Sequence, residues 1–220
     1  MMELGNLLKI NLKICLLSKK FLISILTFII ITVMFNVTYT SIKDVYMLME
    51  VILPIIGVVI FCDTPIMEQA VKFNEMFYLT RINKSIVFFI KIIINIVAGA
   101  ILFFLGFILI YIKFIFLNKG TSNLDFFNML SLFLVTELFL GSIAIVVTTV
   151  TNNIKIALGG GLFSYWIFYE IIKDNTSFTP FGMYFNFQGD RLLISKILCL
   201  STALILIIIS DLVLMKNKRL

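Results

Sequence analysis

Apolar residues along the chain run in long blocks separated by short clusters of polar and charged positions. Six blocks, at about 21–38, 45–62, 85–112, 127–150, 156–172 and 192–215, each reach the ~17–25 residues a helix needs to cross a bilayer. The third exceeds that range, which predicts a tilted or protruding helix. The fifth contains Gly159-Gly160-Gly161, a run that lowers helix propensity and suits close helix packing better than a binding loop. Ahead of the first block, Leu7, Ile10, Ile14, Leu17 and Phe21 recur at helical spacing, with Asn6, Lys9, Lys13 and Lys20 on another face. This predicts an amphipathic helix over 1–20 lying in the headgroup layer, with an extension of the first span as the alternative. Residues 21–220 then form a single six-helix domain.

Two connections have structure of their own. Between blocks two and three, Thr64 suits an N-cap and Pro65 a first helical position. Ile66, Ala70, Phe73 and Phe77 share one face, and Glu68, Lys72 and Glu75 line another. The Glu68–Lys72 and Lys72–Glu75 pairs are each worth about 0.2–0.5 kcal/mol. A connection that only crossed back would need about 2–8 residues, so this one carries an added helix ending near Leu79-Thr80. Its alternative reading is an interfacial anchor without a partner. Between blocks five and six, Phe178, Phe181 and Phe185 fall on one helical face beside Pro180 and Gly182. That pattern predicts a re-entrant outer element, or equally a loop resting on the bilayer.

Composition agrees with lipid as the solvent. The 220 residues are 61% hydrophobic and 14% charged, against about 45–50% and about 25% for soluble domains. The excess leaves no room for a soluble catalytic domain. The fold class is therefore an all-α membrane protein with six transmembrane helices. The net charge of +6 does not imply nucleic acid, because the cations gather at span ends. With both termini inside, the cytoplasmic segments hold twelve: Lys9, Lys13, Lys19, Lys20, Lys72, Arg81, Lys84, Lys91, Lys155, Lys216, Lys218 and Arg219. The outer segments hold six: Lys43, Lys113, Lys119, Lys173, Arg191 and Lys196. That bias predicts cytoplasmic N and C termini, and Tyr39, Tyr46, Tyr111, Tyr165, Trp166 and Tyr169 form a matching outer belt. The first block is too long for a cleaved signal core and lacks a small-x-small site.

Histidine is absent, which removes His-based intramembrane proteases, Ser-His hydrolases and haem held by His. Cys15, Cys62 and Cys199 form no spacing motif and read as small apolar fillers. No constellation meets the tests for an active site, so no enzyme activity, cofactor or metal site is expected. The ionisable groups inside spans are Glu50, Glu137, Lys196 and Asp211. A mid-bilayer charge costs about 2.5–3.5 kcal/mol on insertion scales. Glu137 lies about 15 Å from its helix end at ~1.5 Å per residue, and Glu50 lies nearer the outside. Either can be a pathway or interface acid; for Glu137 the alternative is a protonated acid bonded to a neighbouring helix. Lys196 and Asp211 can snorkel and need little further explanation.

Glu68 followed by Asn74-Glu75-Met76-Phe77-Tyr78-Leu79-Thr80-Arg81-Ile82-Asn83-Lys84-Ser85, running into Phe88-Phe89-Ile90-Lys91, resembles the acidic helix and basic turn of type-2 ABC exporter permeases (the ABC-2 family). Ser177-Phe178-Thr179-Pro180-Phe181-Gly182 is similar to that family's Pro-containing stretch before the last span, although the proline common before the basic turn is missing at Thr80-Arg81. The resemblance covers the layout of the whole chain. It implies a cytoplasmic coupling helix in which Glu68, Lys72, Glu75, Phe77 and Arg81 meet a separate ATP-binding ABC ATPase. A second permease, identical or sister, is implied as well. No phosphate-binding loop occurs in this chain, so ATP must bind on another polypeptide. Few buried charges argue against a wide aqueous path for small polar solutes, and the resemblance implies an amphipathic cargo, a peptide or lipid-like compound, exported across a bacterial cytoplasmic membrane. The competing classes are a substrate-binding membrane module of an uptake system and a non-transporting immunity or structural membrane protein.

Overall fold

A computed structural model describes residues 25–26, 42–66, 84–116, 125–172 and 178–216. The described residues are helices and turns without a strand. In chain order they are α1 (Ile42–Tyr46), a π-helical stretch (Met47–Ile52), α2 (Ile55–Phe61), α3 (Lys84–Phe116), α4 (Phe126–Thr151), α5 (Ile154–Trp166) continued by a π-helical stretch (Ile167–Ile172), and α6 (Gly189–Lys216). Four runs are long and apolar enough to cross a membrane: Asp44–Phe61, Ser85–Phe116, Phe126–Thr151 and Gly189–Lys216. The chain is thus a multi-pass helical membrane protein. The fifth block of the sequence coincides with α5 and its π-helical extension, which is not one of those four. Of the first block only Ile25 and Leu26 are described, and they are helical. The amphipathic helix expected over 1–20 lies outside the described residues, as does the segment bearing Glu68, Lys72, Glu75, Phe77 and Arg81.

α4 is the hub, packing against α2, α3, α5 and α6. Its ends are set by local chemistry. The Asp125 carboxylate accepts from Phe127 N (3.1 Å) and Asn128 N (3.3 Å), capping donors that the first turn leaves free. At the other end Asn152 takes the left-handed conformation (φ 52°) and its N–H returns to Thr148 O. Asn153 then caps α5 by accepting from Lys155 N at 2.9 Å. Two adjacent asparagines therefore reverse the chain between α4 and α5.

Cross-contacts give each helix a direction. Phe103 and Phe107 of α3 meet Phe133 and Phe126 near the start of α4, with ring centroids 5.2 and 5.0 Å apart, while Gly99 lies against Glu137 further along. α3 and α4 are antiparallel. Gly57 lies against Glu137, Phe61 against Gly141, and Thr148 donates to Cys62 O, so α2 runs parallel to α4. Phe168 of the α5 extension packs on Phe139 while Gly160 lies against Val147, which makes α5 antiparallel. Ser85 Oγ donates to Asp211 Oδ2 at 3.0 Å, setting α6 antiparallel to α3. Consecutive helices from α2 to α6 thus alternate in direction.

Lipid offers apolar side chains no gain from leaving water, so close packing and polar links must hold such helices together. Glycines supply the close approach here. A Cβ at Gly141 would stand 2.6 Å from the Phe61 ring, and one at Gly161 would collide with Val58. Within Gly159-Gly160-Gly161, only Gly161 is that tight; Gly160 is near Val147 and Gly159 faces open space. The outward faces of α3 (Phe89, Ile93, Val97, Phe104) and α6 (Leu193, Ile197, Leu204, Ile208) are exposed and apolar, as lipid contact demands.

Candidate functional site

The densest polar cluster gathers at the end of the bundle where α6 begins, and Pro54 shapes it. In an α-helix the Pro54 nitrogen would bond the Glu50 carbonyl; proline has no N–H, and its ring crowds the carbonyl four residues back. The backbone widens instead, with Leu53 N donating to Leu48 O at 2.9 Å, and Glu50 sits within this π-helical stretch. Its side chain is fully buried. Lys196 Nζ of α6 pairs with Glu50 Oε1 at 2.6 Å. The same carboxylate accepts from Met183 N (3.2 Å) and Tyr184 N (2.7 Å).

Those two N–H groups belong to one helical turn in the segment ahead of α6. Thr179 Oγ1 accepts from Phe181 N at 3.3 Å as a weak cap, and Phe185 N donates to Phe181 O at 3.1 Å. The turn closes with Asn186 N on Met183 O and Phe187 N on Gly182 O, with Asn186 left-handed at φ 61°. This is the helix-ending arrangement in which a left-handed residue satisfies the last carbonyls. The carbonyls of Thr179 and Pro180 would normally accept from Met183 and Tyr184, but those donors are bound to Glu50. Other helices supply the missing partners. Ser195 Oγ donates to Thr179 O, Lys196 Nζ to Pro180 O (2.6 Å), and Thr136 Oγ1 to Pro180 O (2.9 Å). Lys196 also donates to Thr136 Oγ1 at 3.0 Å. Every displaced backbone bond of the turn thus has a partner, as a buried polar segment needs.

Two expectations change at this point. Lys196 does not snorkel; its side chain is 11% exposed and holds Glu50. A bare carboxylate inside the bundle gains more from an ammonium at contact distance than the ammonium gains from reaching the interface. The one-faced Phe178/Phe181/Phe185 helix is also absent. Phe178 turns to Phe139 and Phe168, whereas Phe181 packs on Tyr165 and Tyr169 and Phe185 on Tyr169 and Tyr184. Pro180 and Gly182 restrict the helix to one turn, so spacing by 3.6 residues no longer sets the faces. The segment does not rest outside the bundle: Thr179, Pro180, Phe181 and Gly182 are buried.

The second buried acid is placed differently. Glu137 is 1% exposed, and neither carboxyl oxygen has a hydrogen-bond partner. It fills a gap made by two glycines. A Cβ at Gly57 would stand 2.5 Å from Glu137 Cγ and 3.0 Å from its carbonyl oxygen, and a Cβ at Gly99 would fall on the carboxyl itself. Glu137 is therefore where α2, α3 and α4 meet. The bonded-acid alternative finds no acceptor or donor among the described residues.

Toward the other end, Asn95 Nδ2 donates to Thr64 Oγ1 (2.9 Å) and Ile60 O (3.4 Å), tying α3 to the end of α2. Thr64 is buried, and Ile66 N bonds Asp63 O at 2.9 Å, so the Thr64 hydroxyl serves α3 rather than capping Ile66. Sequence reasoning missed Lys196, Thr136, Ser195 and Thr179 as members of a cluster. One signal was available: Glu50 and Lys196 each lie about one to one and a half turns inside spans predicted to begin on the same side. Comparison with protein-family models, curated proteins and solved structures finds no match to this chain.

Proposed function

We propose that the chain is the membrane-spanning permease subunit of an ATP-driven exporter of the type-2 ABC class. It works in a pair of permeases, identical or sister, in a bacterial cytoplasmic membrane with both termini inside. ATP is bound and hydrolysed by a separate ATPase chain, and the cargo is an amphipathic peptide or lipid-like compound. The observation that carries this reading is the segment before α6. A chain that only needed to return to the surface would have no reason to bury Thr179–Gly182 and commit Glu50, Thr136, Ser195 and Lys196 to it. A folded, inserted element before the last span is what the sequence resemblance implies.

The connection between α2 and α3 supplies the route for force. It leaves α2 through Thr64, whose hydroxyl is held by Asn95 of α3, and it re-enters the bundle at Lys84. A soluble ATPase gripping Glu68, Lys72, Glu75, Phe77 and Arg81 would therefore pull on α2 and α3 together. The test is charge reversal at Glu68→Arg and Glu75→Arg in the assembled transporter. Membrane insertion and pairing persist, ATP hydrolysis continues, and export is lost. Full export by both variants at normal hydrolysis would remove the coupling role.

A further inference from the structure

Glu137 stands apart from the polar cluster around Glu50. That cluster pairs its carboxylate with an ammonium and two N–H groups. The Glu137 oxygens have no partner and are sealed from solvent by α2, α3 and α4. Transferring an unpaired carboxylate into such surroundings costs far more than transferring the neutral acid. A merely structural acid would be expected to bond a neighbour, since buried polar groups nearly always do. An apolar side chain of similar size would fill the gap without that cost.

No charged group among the described residues is positioned to hold a carboxylate there. On the α2 side, Glu50 and Asp63 lie about two turns to either side of Gly57, and Glu50 is engaged by Lys196. On α3, Lys91 lies about two turns from Gly99. On α4, Asp125 caps the distant N-terminus. On α6, Lys196 turns to Glu50, Thr136 and Pro180, and Asp211 receives Ser85 at the far end. On α5 and its extension, Lys155 begins the helix and Glu170 lies near its end. Cys62, Cys199 and Tyr165 belong to the neighbouring apolar cluster with Val58, Leu140 and Ala144.

We propose that Glu137 is a proton-binding site at the junction of α2, α3 and α4, neutral while the junction is closed and ionised as α2 and α3 move away from α4. The two glycines give the site its selectivity. They admit the carboxyl to backbone contact distance and leave no room for a counter-ion or a hydration shell. Release of the proton then requires the seam to widen enough for water to reach the oxygens. By linkage, whatever widens the seam favours release, and raising the pH favours the wider seam. The site is independent of the exporter reading, because it concerns this chain's own helices and holds whether or not an ATPase binds.

Two measurements on the full chain in lipid test it. Infrared spectra across a pH series report protonated carboxyls directly. Wild type shows a protonated-carboxyl C=O band at neutral pH that persists in Glu50→Gln and is absent in Glu137→Gln. Absence of the band in wild type, or its survival in Glu137→Gln, overturns the proposal. The second measurement separates a proton site from an inert buried acid. Spin labels replace Ile93 on α3 and Val150 on α4, both exposed, in a cysteine-free background. The interlabel distance lengthens as pH rises in wild type and is pH-independent in Glu137→Gln. A distance that ignores pH in wild type, or shifts equally in Glu137→Gln, overturns the coupling to helix movement.

Discussion

The Glu50–Lys196 pair gives the sharpest energetic prediction. Glu50→Gln preserves shape and leaves one side-chain oxygen for the Met183 and Tyr184 N–H groups, but it strands the Lys196 ammonium among neutral acceptors. Lys196→Met strands the carboxylate in the same way. Breaking a buried pair by removing one partner costs about 3–5 kcal/mol, because the other charge stays buried. The Glu50→Gln/Lys196→Met double variant removes both charges. What remains is roughly one backbone N–H without an acceptor, about 1–3 kcal/mol. The two single losses therefore exceed the double loss, with a coupling of about 3 kcal/mol or more. Reversible unfolding in mixed micelles across the four proteins measures this directly. Neutral interhelical hydrogen bonds in membranes average only ~0.6 kcal/mol. Single losses below about 1 kcal/mol that add within about 0.5 kcal/mol would refute a buried, mutually dependent ion pair.

The glycine run offers an internal control. Gly159→Ala gains about 0.5–1 kcal/mol from helix propensity because nothing faces it. Gly161→Ala loses about 1–3 kcal/mol by colliding with Val58, and Val58→Ala in the same chain recovers part of the loss. Unfolding midpoints of the variants check both signs. At the junction, Gly57→Ala is costlier than Gly99→Ala, since it meets the Glu137 stem and backbone oxygen rather than the end of the side chain. Either loss, about 1–3 kcal/mol by overpacking, shrinks in a Glu137→Ala background, and equal losses in both backgrounds would deny the cradle.

Much of the helical order was legible in the sequence, because bilayer thickness imposes a length that a run of apolar residues either meets or does not. Blocks three, four and six match α3, α4 and α6 within a few residues, and the Asn152-Asn153 reversal between α4 and α5 falls in the gap between blocks four and five. The π-helical stretch around Glu50 was present in the sequence as a proline four residues on, yet only tertiary placement shows what the distorted turn is for. Lys196 illustrates why the site was harder. Its position near a span end permits snorkelling and pairing alike, and the choice depends on Glu50 lying beside it, a relation between helices that periodicity does not encode. Glu137 was recognisable as a mid-span acid. Its isolation was not, since that depends on Gly57 and Gly99 arriving from two other helices.

If the chain is a permease powered by another polypeptide, as we propose, recovery of that polypeptide is the most direct test. The full-length protein, affinity-tagged, is purified from its native membrane in mild detergent and assayed for bound ATPase activity. The exporter reading predicts a co-purifying ATP-hydrolysing subunit in fixed ratio, with hydrolysis retained but export lost in the Glu68→Arg and Glu75→Arg variants. Protein that purifies without ATPase activity, from cells whose phenotype survives deletion of every candidate ATPase, would contradict it.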